Sequence, residues 1–310
     1  MDYFDYTQYV NSRRIMSQPL TNGHEENYIV ATADDSVISN YSMRFQKRGY
    51  VVNVIDLTNP AKSTVAFDAL HQINSKFDAK YLTEQLDAPW LQDDMYWRSM
   101  AAALVECLIC SLKHADHDAH ISELMEIMNE LYLGVVRDGK IPSHIEGLID
   151  TIIAADPQGE LVHDWEKLST LPTKTAKEVC KQACSILRYY FRYVDSTMPN
   201  TLPAFDPRSL LKNRSVLFVR VDPIVNERTN YACIIFKQIS KALYDYLQNL
   251  EDPVLPIKTN FVCGPNIFQP LCQEILGDSI APQLGLHLVF ALPDAEFGDV
   301  PRVLDRALQK

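Results

Sequence analysis

The sequence predicts an α/β fold with a mainly parallel sheet, interrupted by an all-α insertion. Three observations predict it. Short apolar runs bounded by turn residues recur toward both ends of the chain, at Tyr28–Thr32, Tyr50–Asp56, Ser215–Val221, Lys258–Cys263 and Leu286–Leu292. Amphipathic stretches of helical period separate most of them, which implies crossover connections between parallel strands. From about Phe67 to Pro172 the strand signals stop and the helical period continues alone. The expected division is a discontinuous α/β domain, 1–66 and 173–310, around an all-α domain, 67–172.

Residues 1–27 are polar and irregular. Tyr28-Ile-Val-Ala-Thr32 reads as a short strand buried on both faces. A helix follows from Asp35 to Arg48, and Gly49 stops it. Tyr50–Asp56 is the second strand, ended by Asn59-Pro60. In the middle of the chain, Asp93 or Asp94 caps a helix over Met95–Lys113. Its Trp97, Met100, Ala101, Leu104, Leu108 and Leu112 recur at three and four residues. Further helices are expected at Ile121–Leu133 and Ile145–Ala155, before Asp156-Pro157-Gln-Gly159 breaks the series. Thr173–Val194 is a long helix, Ser215–Val221 a strand, and Glu227–Leu250 a helix with Ile235, Ile239, Leu243 and Leu250 on one face. Strand Lys258–Cys263, helix Phe268–Leu276 and strand Leu286–Leu292 complete the pattern.

A chain of 310 residues suits about two domains. Its 47% hydrophobic and 22% charged content excludes disorder of the whole. Glycine is scarce, at 10 against 17 prolines, and this bears on function. Backbone that wraps a phosphate closely needs clustered glycines. No GxGxxG and no GxxxxGK[ST] occurs. The closest glycines, Gly134 and Gly139 with Lys140 after them, have phosphate-loop spacing but follow a helical pattern and lack the Ser or Thr that would hold Mg²⁺. Acidic residues outnumber basic ones 40 to 29, for a net charge of -11, which argues against duplex DNA contact. The 7 cysteines are an odd number, and no signal peptide or 18-residue apolar run is evident. The expectation is a reduced, cytoplasmic protein without a membrane segment.

Several constellations carry two readings each. His114, His117 and His120, interleaved with Asp116 and Asp118, have the residue types of a zinc or nickel site, but a continuous helix would rotate them apart. The competing reading is a solvated connector. Cys107/Cys110 and Cys180/Cys184 lie inside apolar helices rather than at helix starts, as buried small hydrophobes do. Asp34 and Asp35 follow the first strand at the carboxyl edge, where open α/β sheets bind ligands, and Asp35 also suits a helix cap. Arg188-Tyr-Tyr-Phe-Arg-Tyr193 interleaves Arg with aromatics, as single-strand-binding surfaces do, or buries Tyr190, Phe191 and Val194 in a core. No GxSxG elbow is present. The acidic, aromatic Met1–Tyr9 is either a docking segment or an irregular terminus.

The order of elements, with several local strings, resembles the TraG/TraD-type coupling ATPases of type IV secretion and conjugation. The strings are Gly49-Tyr-Val-Val-Asn-Val-Ile-Asp-Leu-Thr-Asn-Pro60 with Phe67-Asp-Ala-Leu70, Trp90 with the helix 95–112, Lys174-Thr175 with Ser185-Ile186, and Leu217-Phe-Val-Arg-Val-Asp-Pro223 with the helix that follows. The resemblance implies a RecA-like sheet with an all-α insertion that recruits partners. It also implies where nucleotide chemistry should sit. In that family a phosphate loop lies upstream of the region matching Tyr28–Ile38; here only Gly23 stands there. The Walker B strand should end in Asp-Glu; Phe261-Val-Cys263 is followed by Gly264-Pro265. A later strand should end in a γ-phosphate-sensing Gln; Leu292-Pro293 follows instead. Phosphoryl transfer needs those groups for positioning and charge.

The expectation is therefore a non-catalytic pseudo-ATPase without cofactor, a scaffold or recruitment module with protein partners in a secretion or conjugation apparatus, oligomeric states being open. Asp34, Asp35, Gly264 and Pro265 mark its degenerate nucleotide positions. The alternatives are an active subunit with its phosphate loop outside this chain and an unrelated α/β hydrolase.

Overall fold

In the computed structural model of the chain, the residues described are 26–86, 89–91, 94–192, 202–221, 226–248, 255–263, 286–290, 304–305 and 308. The chain divides into two compact units, Met1–Val65 with Phe205–Lys310, and Ala66–Ala204.

The first unit is RecA-like α/β. Five strands, β1 (Glu26–Thr32), β2 (Val51–Asp56), β3 (Ser215–Arg220), β4 (Lys258–Cys263) and β5 (Leu286–Phe290), form one sheet in the order β2-β3-β1-β4-β5. Every pairing is parallel, with Tyr28 opposite both Val216 and Asn260, and Val54 opposite Phe218. β1 is buried at all seven positions, as expected of a central strand covered on both faces. The pleat sends Tyr28 and Val30 to one face, where Val37, Tyr41 and Phe45 of α1 (Asp35–Gln46) pack with Val54, Val216, Phe218, Val262, Leu304 and Leu308. Phe261 in β4 meets Phe236 of α8 (Asn226–Gln248), with ring centroids 5.8 Å apart. Gly49 takes φ +81 where α1 turns into β2, a conformation that favours glycine.

A buried polar cluster ties the amino ends of three strands together. Asn27, fully buried, donates from Nδ2 to the Leu210 carbonyl at 2.6 Å and accepts from the Ser215 amide at 2.8 Å. Asn260 Nδ2 donates to the Asn27 carbonyl at 3.2 Å. The Tyr28 hydroxyl donates to Glu26 at 2.6 Å, and burial with that neighbouring carboxylate raises the phenol's pKa.

The second unit is all-α among its described residues, apart from one β-bridge. Its helices are α2 (Lys76–Gln85), α3 (Met95–Ala115), α4 (Ile121–Arg137), α5 (Ser143–Ala155), α6 (Glu160–Ser169) and α7 (Thr173–Phe191). α3 is the hub and touches the other five. By length and composition α3 is apolar enough to cross a bilayer, contrary to the expectation that no such run exists. Here its Leu104–Leu112 portion is buried under its neighbours. The entry and exit of the unit meet at Ala66 and Ala204, which form a parallel bridge, and the Ala66 amide donates to Pro203 at 3.0 Å.

One boundary differs from the expected division. α7 belongs with the helical unit, not with the α/β domain. It buries Val179, Cys180, Ala183, Cys184, Ile186, Leu187, Tyr190 and Phe191, and packs on α3 and α4. A crossover helix and a bundle helix share the same period, so periodicity alone does not say which neighbour covers the apolar face.

Candidate functional site

The carboxyl edge of the sheet is where an open α/β fold places a ligand. Thr32 ends β1, and its hydroxyl accepts from the Asp34 amide at 3.1 Å. Asp34 is the residue that caps α1, and not Asp35 as the sequence suggested. Asp34 Oδ1 accepts from the Ser36 amide at 2.7 Å and Oδ2 from the Ser36 hydroxyl at 2.8 Å. That frees Asp35, the first helical residue, to face the sheet edge. Its carboxylate accepts from Arg220 Nε at 2.6 Å and from Lys62 Nζ at 2.9 Å. Arg220, and then Lys62, hold the Asp35 carboxyl below its usual value.

At the end of β2 the buried Asp56 accepts on Oδ1 from the amides of Thr58 and Asn59, each at 2.8 Å, and from the Thr58 hydroxyl at 2.6 Å. The Asp56 amide donates to Ser63 Oγ at 2.8 Å. The carboxylates of this edge are thus engaged with the protein's own amides and cations. Asp34 and Asp56 stabilise turns, and Asp35 pairs with two cations, Arg220 and Lys62. Gly264, Pro265, Leu292 and Pro293 lie outside the described residues, as do Met1–Tyr9.

The helical unit settles the other constellations. His114 and His117 are exposed and do not cluster with His120, so the 114–117–120 spacing assembles no site among the described residues. His120 instead faces Asp68 at 3.2 Å and stacks beside His71 at 4.6 Å between centroids. The sequence reading missed Asp68 and His71 as partners, since nothing local links them to His120. Gly134 sits within α4, where its Cα backs onto Pro142, and Gly139 turns the chain at φ +65. The phosphate-loop spacing is therefore a helix and a turn. Cys107, Cys110, Cys180, Cys184 and Cys233 are buried, and burial pushes the thiols of Cys110, Cys180 and Cys233 up to about 12. Such thiols are poor nucleophiles. Tyr190 and Phe191 are buried and Arg188 and Arg192 exposed, so this aromatic stretch builds core. A largely apolar cavity of about 100 Å³ lies among Leu104, Leu131, Val135, Trp165, Leu168 and Val179.

No protein-family model matches the chain, and no curated protein matches it. Solved structures do. The bacterial conjugative coupling protein TrwB, in a trigonal form with sulphate, superposes with a TM-score of 0.52 at 12% identity, over 96% of this chain and 75% of that one. Its unbound monoclinic form gives 0.53 at 14% identity, over 96% and 73%. The plasmid coupling protein TrwB with ADP and Mg²⁺ gives 0.51 at 13% identity, over 91% and 70%. The fold is thus that of a conjugative coupling protein: a RecA-like sheet and a helical unit in one chain.

Proposed function

We propose that this chain is a coupling-protein-like component of a conjugation or type IV secretion apparatus that recruits protein partners and does not hydrolyse ATP. The observation that carries the reading is at β4. That strand lies between β1 and β5 in a coupling-protein fold, and the sequence leads it into Gly264-Pro265 rather than an acidic pair. Neither residue offers a side chain to hold Mg²⁺ or orient water. The state of Asp35 supports it, because Arg220 and Lys62 at the same sheet edge are already engaged with a carboxylate of the chain itself. The chain works on the cytoplasmic side of the apparatus in this reading.

The helical unit supplies the recruitment surface. It presents Phe77, Trp90, Met95 and Tyr96, which are 70%, 45%, 81% and 50% exposed. Contiguous apolar surface marks protein contact sites, and Met95 and Tyr96, adjacent at the start of α3, are the contact point in this reading. The test is calorimetric titration of the purified chain with ATP and Mg²⁺, together with a phosphate-release assay. No saturable binding below millimolar nucleotide and no turnover is expected. Micromolar affinity or Mg²⁺-dependent phosphate release overturns the reading.

A further inference from the structure

Asp68, His71 and His120 converge in the helical unit, with one ligand atom from each lying within 4.8 Å of the others. We propose that these three side chains bind a divalent first-row transition ion, with zinc as the reference case. Two imidazoles and one carboxylate are a donor set that suits zinc, nickel, cobalt and ferrous ions. A tetrahedral site with bonds of about 2.1 Å needs donors about 3.4 Å apart. The observed spacing closes to that by small rotations of the two rings.

The surroundings orient each donor, as outer partners do around metal ligands. Asp68 Oδ1 accepts from the Leu70 amide at 2.8 Å and Oδ2 from the Ile121 amide at 3.0 Å, so backbone on both sides fixes the carboxylate. His71 Nε2 lies 3.4 Å from the Asp118 carbonyl. A ring N–H directed there leaves Nδ1 as a lone-pair donor. His120 is held at the start of α4, where its amide donates to Glu123 at 3.3 Å. The Asp68 side chain is 13% exposed and that of His120 44%, so the cluster is anchored on one side and open to solvent on the other. Water can complete the coordination from there.

Two features oppose a cation. The N-terminus of α4 carries partial positive charge, and the Lys113 ammonium stands near Asp68, Asp116 and Asp118. Those three carboxylates outnumber it. The Asp68 carboxylate already accepts from the Ile121 amide, the first of α4, which takes up part of the helix-end charge. An ion here pins the Leu70–Gln72 turn to the start of α4, segments separated by some fifty residues of sequence.

The test uses the full chain without an affinity tag, stripped with EDTA and titrated with zinc sulphate by calorimetry. One equivalent should bind, and the melting temperature should rise with zinc. His71→Ala and His120→Ala should each weaken binding at least about tenfold, while a His114→Ala, His117→Ala double variant stays within about twofold of the parent. His71 caps no helix, so His71→Ala is the decisive variant, and its far-UV circular dichroism checks that it folds. Cobalt substitution distinguishes donors: nitrogen and oxygen ligation gives d–d bands without a thiolate charge-transfer band. Absence of one-equivalent binding, parental affinity in a folded His71→Ala, or a thiolate band overturns the proposal.

Discussion

Arg220 at the end of β3 donates to the Asp35 carboxylate at the start of α1, 2.6 Å away. The bond joins a strand to a helix laid down 185 positions earlier. It also fixes a charge balance at the sheet edge, since Lys62 shares the same carboxylate.

Replacing Asp35 by Asn should therefore destabilise the protein, but modestly. The side chain is 53% exposed, so the loss should stay below about 1 kcal/mol. The sign with pH follows from the lowered folded value. The contribution is present above the ordinary Asp value of 3.8 and is lost as pH falls through the folded value beneath it. Urea unfolding at neutral pH should separate parent and variant, and the two should converge in acid. A difference that persists unchanged in acid contradicts this.

Asn27→Ala should cost far more. It leaves the buried Ser215 amide and the Leu210 carbonyl without their side-chain partner. Two stranded polar groups amount to about 2–4 kcal/mol. Urea unfolding at neutral pH measures it, and a loss below about 1 kcal/mol would show that water replaces the amide.

Three glycine variants should differ in sign. A Cβ on Gly134 would stand 2.9 Å from Pro142 ring carbons, so Gly134→Ala should cost about 1–3 kcal/mol. Gly139 has φ +65, and Gly139→Ala should cost about 1–2 kcal/mol. Gly147 lies in α5 with open space around its Cβ position, and Gly147→Ala should stabilise by up to about 1 kcal/mol. Thermal melts rank the three.

The buried thiols should be protected in the native state. A rise from 9.0 to about 12 at Cys110 and Cys180 cuts the thiolate population near neutral pH by about a thousandfold. Iodoacetamide should modify these cysteines only after denaturation, as read by peptide mass spectrometry. Rapid native labelling of either contradicts their burial.

Met95→Glu with Tyr96→Glu should leave the melting temperature within about 2 °C of the parent, because both side chains are exposed. The same variant should fail in a complementation assay for transfer or secretion. Full complementation would show that recruitment uses another surface.

Much of this was legible in the sequence, for reasons that individual elements make plain. β4 is bounded as the apolar run indicated, because Pro256 and Gly264 punctuate it. α1 and α3 start where expected, since N-caps and period agree there, and α8 starts within a residue of expectation on period alone. The period of α7 does not say which unit holds it, because its amphipathic face fits either a sheet or a bundle. The Asp68–His71–His120 cluster was invisible, because a histidine near α4 meets partners placed by tertiary packing. In the His114–His117–His120 string the first two members face water, and His120 alone meets such partners.

The adjacency of β2 and β3 in the sheet has a further consequence, for the order in which the molecule is made. β1 and β2 are made before β3, yet each pairs with it, and the whole helical unit is translated before β3 exists. Until then the two early strands have no ladder to join. A bundle that folds locally, closed at the Ala66–Ala204 bridge, turns the long excursion between β2 and β3 into a short effective loop. The helical unit thus acts during biogenesis as the clasp that brings the late strand to its place between two waiting ones.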